Sequence, residues 1–245
     1  MGISNVTHAV TKQGRRLLNL KLKRCGAVIV AAGNATRMGG VDKIMADLGG
    51  EPLILRTVRP FLTCEAISEI VIVTRPELVG TVRNLFAGFD KVTAVVAGGK
   101  DRAESVNAGL NAFTKKVKLA AIHDGARPLV TEELIDRVVR AANAYSAAAP
   151  AVDVKDTIKV VAGGVVSSTP ERSTLRAIQT PQVFDFDLLR GALKKAREDG
   201  AAITDDCSAV ERLGMSVKIV KGDEHNLKVT TPMDLRIARM LQEEL

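Results

Sequence analysis

The sequence predicts an α/β fold, a mostly parallel sheet with helices on both faces and a protruding β-hairpin arm, and three observations carry the prediction. From residue 25 onward, apolar runs of strand length alternate with stretches of helix length, the rhythm of parallel strands joined by crossover helices. Polar clusters rich in Gly, Asp, Arg and Lys recur where those strands end. The rhythm breaks once, at 156–169, where residues alternate on both sides of Gly163-Gly164 and read as a hairpin.

Taken in order, residues 25–31 form a buried strand, followed by a loop of small residues that runs to Lys43. A helix is expected over 51–63, with Pro52 suited to its first turn, then a strand at 69–74 and a helix over 76–88. A strand at 91–96 precedes a helix over 102–116, and a strand at 119–123 precedes a helix over 131–144. Thr131-Glu132-Glu133 opens that helix with a good N-cap and early acids. The arm, about 153–175, is either a lid or a device for pairing with a second subunit. After it come a helix over 186–198, a loop around Thr204, a helix over 206–213, a strand at 216–220 and a final helix over 232–243. No linker divides the chain, so 25–245 reads as one domain behind a basic leader, 1–24.

Bulk properties narrow the function. The net charge is +7, but Lys12, Arg15, Arg16, Lys21, Lys23 and Arg24 account for six of it, so the body is nearly neutral. The leader has no apolar core of signal-peptide length, and a myristoylation pattern fails at Val6. It is expected to have no catalytic role. No apolar run approaches the roughly 20 residues of a membrane helix. With six Phe, one Tyr and no Trp, stacking platforms for nucleic acid are not expected. Three unpatterned cysteines suggest neither a zinc motif nor a disulfide framework, so a reducing cytoplasm is the default.

In open parallel sheets, ligands bind beyond the carboxyl ends of the strands. The first loop fits neither well-known phosphate motif. A dinucleotide fingerprint from Gly33 would need Gly where Ala35 and Met38 stand, and a P-loop would need Gly at Met38. Its Gly and Ala residues still expose backbone N–H groups to phosphate oxygens, and Arg37 and Lys43 would neutralise charge on a phosphorus under attack. Gly98-Gly99 and Ser105, at the start of the next helix, are either an ordinary turn or a seat for a flat base. Asp124 can accept from a ribose hydroxyl or help hold a metal, or form a structural pair with Arg127 before Pro128. His123 reads as a strand residue without a proton-transfer role. Thr180 and Thr204 read as caps or ligands. Lys228, in an apolar strand context, needs an anion nearby. No nucleophile dyad and no metal cluster of known spacing is visible. Positive charge plus positioning suits phosphoryl or nucleotidyl transfer without a covalent intermediate.

Together these clusters resemble one family, the 2-C-methyl-D-erythritol 4-phosphate cytidylyltransferases. The stretches that carry the resemblance are "AAGNATRMG…DK", "GGKDRAESVNAGL", "IHDGARPLV", "DTIK", "QTPQVF", "ITDDCSAVERLG" and "NLKVTTPMDL", in family order. The resemblance implies a Rossmann-like nucleotidyltransferase fold and a homodimer formed through the β-arm. It implies cytidylyl transfer from CTP to the polyol phosphate, with Mg2+ held mainly by the triphosphate. By position, Arg37 and Lys43 would stabilise the pentacoordinate transition state. Ala31, Ala32 and Gly33 would line the nucleotide, Gly99 and Ser105 would contact cytosine, and Asp124 would lie near the ribose. Arg172, Thr204 and Lys228 would bind methylerythritol phosphate, with Arg172 reaching across the dimer.

This chain departs from the family at three places. Asp42 replaces the usual proline before the lysine, in a loop about one residue short. Lys100 stands where an acid often meets the cytosine amino group, and Gly125 replaces an alanine. The nearest rival is a ribitol-5-phosphate or other polyol-phosphate cytidylyltransferase, against which "ITDDCSAVERLG" and "LRAIQTPQ" weigh. A nucleic-acid-binding module acting through the leader is the remote alternative.

Overall fold

A computed structural model describes residues 21–33 and 42–243. Most of the basic leader, and Arg37 with it, lies outside the described residues. Strand β1 (Cys25–Ala31) is a continuous apolar run because helices cover both of its faces. It pairs in parallel with β2 (Ile67–Thr74) on one side and with β4 (Leu119–Asp124) on the other. Strand β3 (Val92–Ala97) extends the sheet beyond β2, also in parallel. The chain therefore reverses its direction of winding between β1 and β4. The carboxyl ends of these two strands form the switch point where such sheets bind ligands.

Helices α1 (Leu53–Thr63) and α4 (Glu132–Tyr145) cover one face, where Ile54, Val58, Phe61, Leu134 and Val138 pack on Ala27, Ile29, Ile70 and Ile72. Helices α3 (Arg102–Asn111), α5 (Phe186–Glu198) and α6 (Asp206–Glu211) cover the other. There Val106, Leu110, Leu189 and Val210 pack on Val28, Val71, Val73 and Ile122. The parity of β1 and β2, odd residues one way and even the other, separates the two cores.

The far half of the sheet differs from expectation. Strand β5 (Ala147–Asp153) is absent from the sequence reading because Ala147 to Ala151, with a proline among them, carry no β-branched signal. Short β9 (Gln182–Asp185) inserts antiparallel between β4 and β5, and β8 (Arg176–Ile178) pairs with the end of β5. Strand β10 (Lys218–Lys221) closes that edge, parallel to β5. Antiparallel β9 can be short and reached by a loop, so it leaves no long apolar run to find.

Several helices are also shorter than expected. Residues 76–88 split into a 3-10 turn at Pro76–Leu78 and α2 (Val79–Leu85). Helix α3 stops at Asn111, and Pro52 sits at the N-cap of α1, just before the first turn. The arm is a hairpin of β6 (Val160–Ala162) and β7 (Val165–Ser168). Gly163 and Gly164 have φ of 57° and 80°, the left-handed pair that a two-residue hairpin turn needs. Helix α7 (Pro232–Glu243) packs Ala238 on Leu48, Leu53 and Val229.

Candidate active site

A cavity of about 430 Å³ opens at the carboxyl ends of β1 and β4. Ala31, Ala32 and Gly33 form its floor, with Lys43, Gly99, Ser105, Asp124 and Lys228 around them. Small residues are needed where the loops meet. A Cβ on Gly98 would stand 2.4 Å from that of Ala32, and one on Gly125 would stand 2.8 Å from that of Ala31. The backbone thus comes close enough to expose its N–H groups on the cavity wall.

Lys43 is placed by its predecessor. Asp42 accepts from the Ile44 amide at 3.1 Å and forms an ion pair with Arg75, at the end of β2. The point of the chain just before Lys43 is thus tied by a charge pair.

On the opposite wall, Asp101 caps α3 by accepting from the Glu104 amide at 2.8 Å. The buried Ser105 hydroxyl accepts from the Gly99 amide at 3.1 Å and donates to the Asp101 carbonyl at 2.8 Å. Its hydrogen therefore belongs to the turn, and only an oxygen lone pair is left for a ligand. Lys100 points outward, its side chain 81% exposed and 3.2 Å from Glu104.

Asp124 is the electrostatic centre. Its carboxylate is 3.0 Å from Lys228, 3.5 Å from Arg127 and 3.8 Å from Arg102. Burial opposes its charge, but Lys228, then Arg102 and Arg127, outweigh burial and hold the carboxyl at about 2. The Asp124–Arg127 pair is present, and Arg127 also donates to the Asn226 carbonyl at 2.6 Å. Asn226 in turn donates to the Thr180 carbonyl at 2.9 Å, and Val229 donates to Ala126 at 2.8 Å. These bonds, in an irregular segment and not the expected strand, carry Lys228 to the cavity.

The Asp124 amide donates to the Thr180 hydroxyl at 3.0 Å, which frees the Thr180 hydrogen for His123 Nδ1, also at 3.0 Å. Nε2 of His123 lies 3.3 Å from the Arg127 carbonyl, so the proton belongs on Nε2. Burial pushes this imidazole down to about 3. It is neutral at physiological pH and supports the strand, as its sequence position suggested. Thr180 is not a cap; it braces the end of β4.

Two residues expected to bind the polyol phosphate fall elsewhere. Thr204 precedes the Asp205 cap of α6 and lines a neighbouring groove of about 1140 Å³ between α3 and α5. That groove shares the wall Gly99–Arg102 with the first cavity. Arg172 is exposed in a 3-10 turn, where it donates to the Lys155 carbonyl at 2.9 Å, and it lines neither space.

Sequence reasoning missed three residues: Arg75, Arg102 and Asp206. Arg102 reaches the buried Asp206 at 2.7 Å, and Gln182 accepts from the Asp206 and Cys207 amides at 3.1 and 3.2 Å. The second Asp of "TDD" was the available signal, since an acid heading an apolar helix turn needs a partner.

Residues 25–244 match the family described as IspD: 2-C-methyl-D-erythritol 4-phosphate cytidylyltransferase. A protein of that name from Symbiobacterium thermophilum is 46% identical over 219 residues, covering 89% of this chain and 92% of the relative. One from Caldanaerobacter subterraneus is 45% identical over 219 residues, covering 87% and 96%. The crystal structure of 4-diphosphocytidyl-2C-methyl-D-erythritol synthase from Anaerococcus prevotii superposes with a TM-score of 0.81. It has 29% identity and covers 90% of this chain and 99% of its own. The cytidylyltransferase from Thermus thermophilus gives 0.74 at 31% identity, covering 88% and 98%.

Proposed function

We propose a mechanism from one premise: this chain belongs to the 2-C-methyl-D-erythritol 4-phosphate cytidylyltransferase family. It transfers the cytidylyl group of CTP to 2-C-methyl-D-erythritol 4-phosphate and releases pyrophosphate, a step of isoprenoid biosynthesis by the non-mevalonate route. The observation that supports a shared site is that Lys43, Lys228, Asp124, Ser105 and the run Ala31–Gly33 all line one cavity at the switch point.

In this reading the triphosphate lies along the first loop, with the cytosine against Gly99 and Ser105. The ribose sits near Asp124. A phosphate oxygen of the polyol substrate attacks the α-phosphorus in line. The new P–O bond forms as the bond to the bridging oxygen of pyrophosphate breaks, and that oxygen takes the electron pair. Lys43 and Arg37 meet the charge that collects on the equatorial oxygens, a contribution largest in the transition state. Lys228, 42% exposed and anchored by Asp124, turns its remaining donors to the substrate phosphate. Thr204 approaches the polyol from the neighbouring groove.

Mg2+ fits as a cation carried in by the nucleotide. The carboxylates on the wall are committed, Asp124 to three cations, Asp101 to the cap of α3 and Glu77 to Arg75. When bound, the ion would neutralise triphosphate oxygens and help pyrophosphate depart.

The arm supports a homodimer. Val160, Val161, Val165 and Val166 are all exposed on it, Val165 by 70%, an apolar surface that a second copy would cover. Dimerisation would bring Arg172 of one protomer to the substrate phosphate in the other. We place the enzyme in the cytoplasm, where CTP is available. Among the described residues no helix is long and apolar enough to cross a membrane.

The test is pyrophosphate release from CTP with methylerythritol phosphate and with ribitol phosphate in parallel. Turnover with the first and little with the second is expected; the reverse preference would transfer the assignment to the rival polyol enzymes.

A further inference from the structure

The groups that the mechanism leaves unused are Arg102 and Asp206. Arg102 opens α3 and lies on the wall that the nucleotide cavity shares with the α3–α5 groove. Its guanidinium is divided between two carboxylates, with Nη1 2.7 Å from Asp206 and Nε 3.8 Å from Asp124. Asp206 has no exposed surface, and neither of its carboxylate oxygens accepts a hydrogen bond in good geometry among the described residues, so Arg102 meets it as a close ion pair. Burial raises its pKa most, against the lowering by Arg102, and the charges of Asp124 and Asp205 raise it further. The Gln182 side chain fixes the start of α6 but binds the backbone there, not the Asp206 carboxylate.

A pair like this is a poor choice for stability alone. Two well-packed apolar side chains of similar volume generally do as well as a buried ion pair, or better. The difference here is that the second face of the guanidinium looks onto Asp124. A long arginine without its anchor has several rotamers, and only some of them leave Asp124 where it stands.

We propose that Asp206 is a positioning residue for the nucleotide. It clamps Arg102 into the cavity wall, and Arg102 holds Asp124 in the orientation that meets the ribose. The inference rests on the reading of Asp124 as a ribose contact. It adds a consequence: Asp206 heads the helix that follows Thr204, so the loop bearing the polyol contact and the wall bearing the ribose contact share one ionic tie.

The test uses the full-length protein and three variants, with CTP binding measured by calorimetry beside steady-state kinetics and thermal melting. Asp206→Asn leaves Arg102 unanchored, and the double variant Arg102→Met/Asp206→Leu removes both charges and leaves no orphan. The double variant should melt near the wild type, yet its CTP KM and Kd should rise roughly tenfold while kcat falls by much less. Wild-type CTP affinity in a double variant that melts normally would show that the pair is only structural and overturn the proposal. If the double variant does not fold, Arg102→Lys decides. It keeps a cation for Asp206 but cannot span both carboxylates, so normal melting with CTP affinity weakened several-fold is expected, and unchanged affinity overturns the clamp. Failure of the functional reading would look different, as a wild type that does not bind CTP at all.

Discussion

Replacing Asp124 by Asn tests the charge balance of the cavity, because Asn has the shape of the protonated acid. Burial alone would raise this carboxyl, yet Lys228, Arg102 and Arg127 bring it from 3.8 down to about 2. That difference is worth about 2 kcal/mol in favour of the charged, folded form at neutral pH. Asn forgoes it, and for a chain of this size the melting temperature should fall by roughly 4–8 °C. The sign fixes the pH window. A carboxyl whose folded-state pKa lies below its unfolded value contributes fully above about pH 4 and loses that contribution as the pH falls toward 2. The gap in melting temperature between wild type and variant should therefore be constant from about pH 8 to 5 and close between about pH 4 and 2. His123, held at about 3 by burial, destabilises both proteins below about pH 6.5; this cancels in the difference above about pH 4, below which the variant loses slightly more, because the Asp124 charge raises His123. The variant also leaves three cations without their shared anion, so pyrophosphate should bind more tightly while kcat/KM for CTP falls. Calorimetric melts across this pH range provide the assay. No gap at neutral pH, or a gap undiminished near pH 2, would refute the account of Asp124 as the hub.

Three further outcomes follow from the same geometry. Lys43→Ala should lower kcat on the order of 10²-fold with a much smaller rise in the CTP KM, since its charge matters most to the transition state; a near-normal kcat would remove Lys43 from the chemistry. Mixing inactive Lys43→Ala and Arg172→Ala protomers should restore part of the activity through the one composite site with neither change. Absence of recovery despite proven subunit exchange would mean that each site is built from one chain. Lys100→Asp should alter the ratio of kcat/KM for CTP over UTP only modestly, because Lys100 points to solvent beside Glu104; a wild type that prefers UTP would contradict the placement of the base.

What could be read from the sequence was what local chemistry repeats. Strands β1, β2 and β4 were visible because both faces are buried, so their runs are largely apolar, β3 because its half-buried run is rich in valine, and the Gly163-Gly164 hairpin because its turn needs two left-handed residues. Strands β5, β8 and β9 were invisible because three or four paired residues leave no period, and alanines in β5 carry no strand signal. The cavity floor was legible as small residues at a strand end, and Lys228 as a cation in an apolar stretch that needed an anion nearby. The second layer was not. Thr180, Asn226 and Gln182 act on groups 24 to 57 positions away, and such pairings exist only after the fold has formed. Arg172 shows the reverse limit: its motif stands out in the sequence, yet within one chain it reaches neither cavity.

From solvent to core, the site runs Lys228, Asp124, Arg102, Asp206, with the sign alternating at each step. The alternation explains why two buried aspartates shift in opposite directions. Asp124 faces three cations and stays charged with ease, whereas Asp206 has one, and burial prevails. It also sets how much charge remains for substrates. Among the described residues the cavity wall carries Lys43, Arg75, Lys100, Arg102 and Lys228 against Glu77, Asp101 and Asp124. Most of these cations already meet acids around them, Arg75, Lys100, Arg102 and Lys228 among them. A nucleoside triphosphate brings roughly four negative charges, and the polyol phosphate up to about two more. The wall cannot match that alone. In the proposed mechanism Arg37 and a divalent cation carried by the nucleotide make up the difference. In the proposed reading the ionic chain fixes the ribose end of the cavity, and the charge that reacts enters with the substrates.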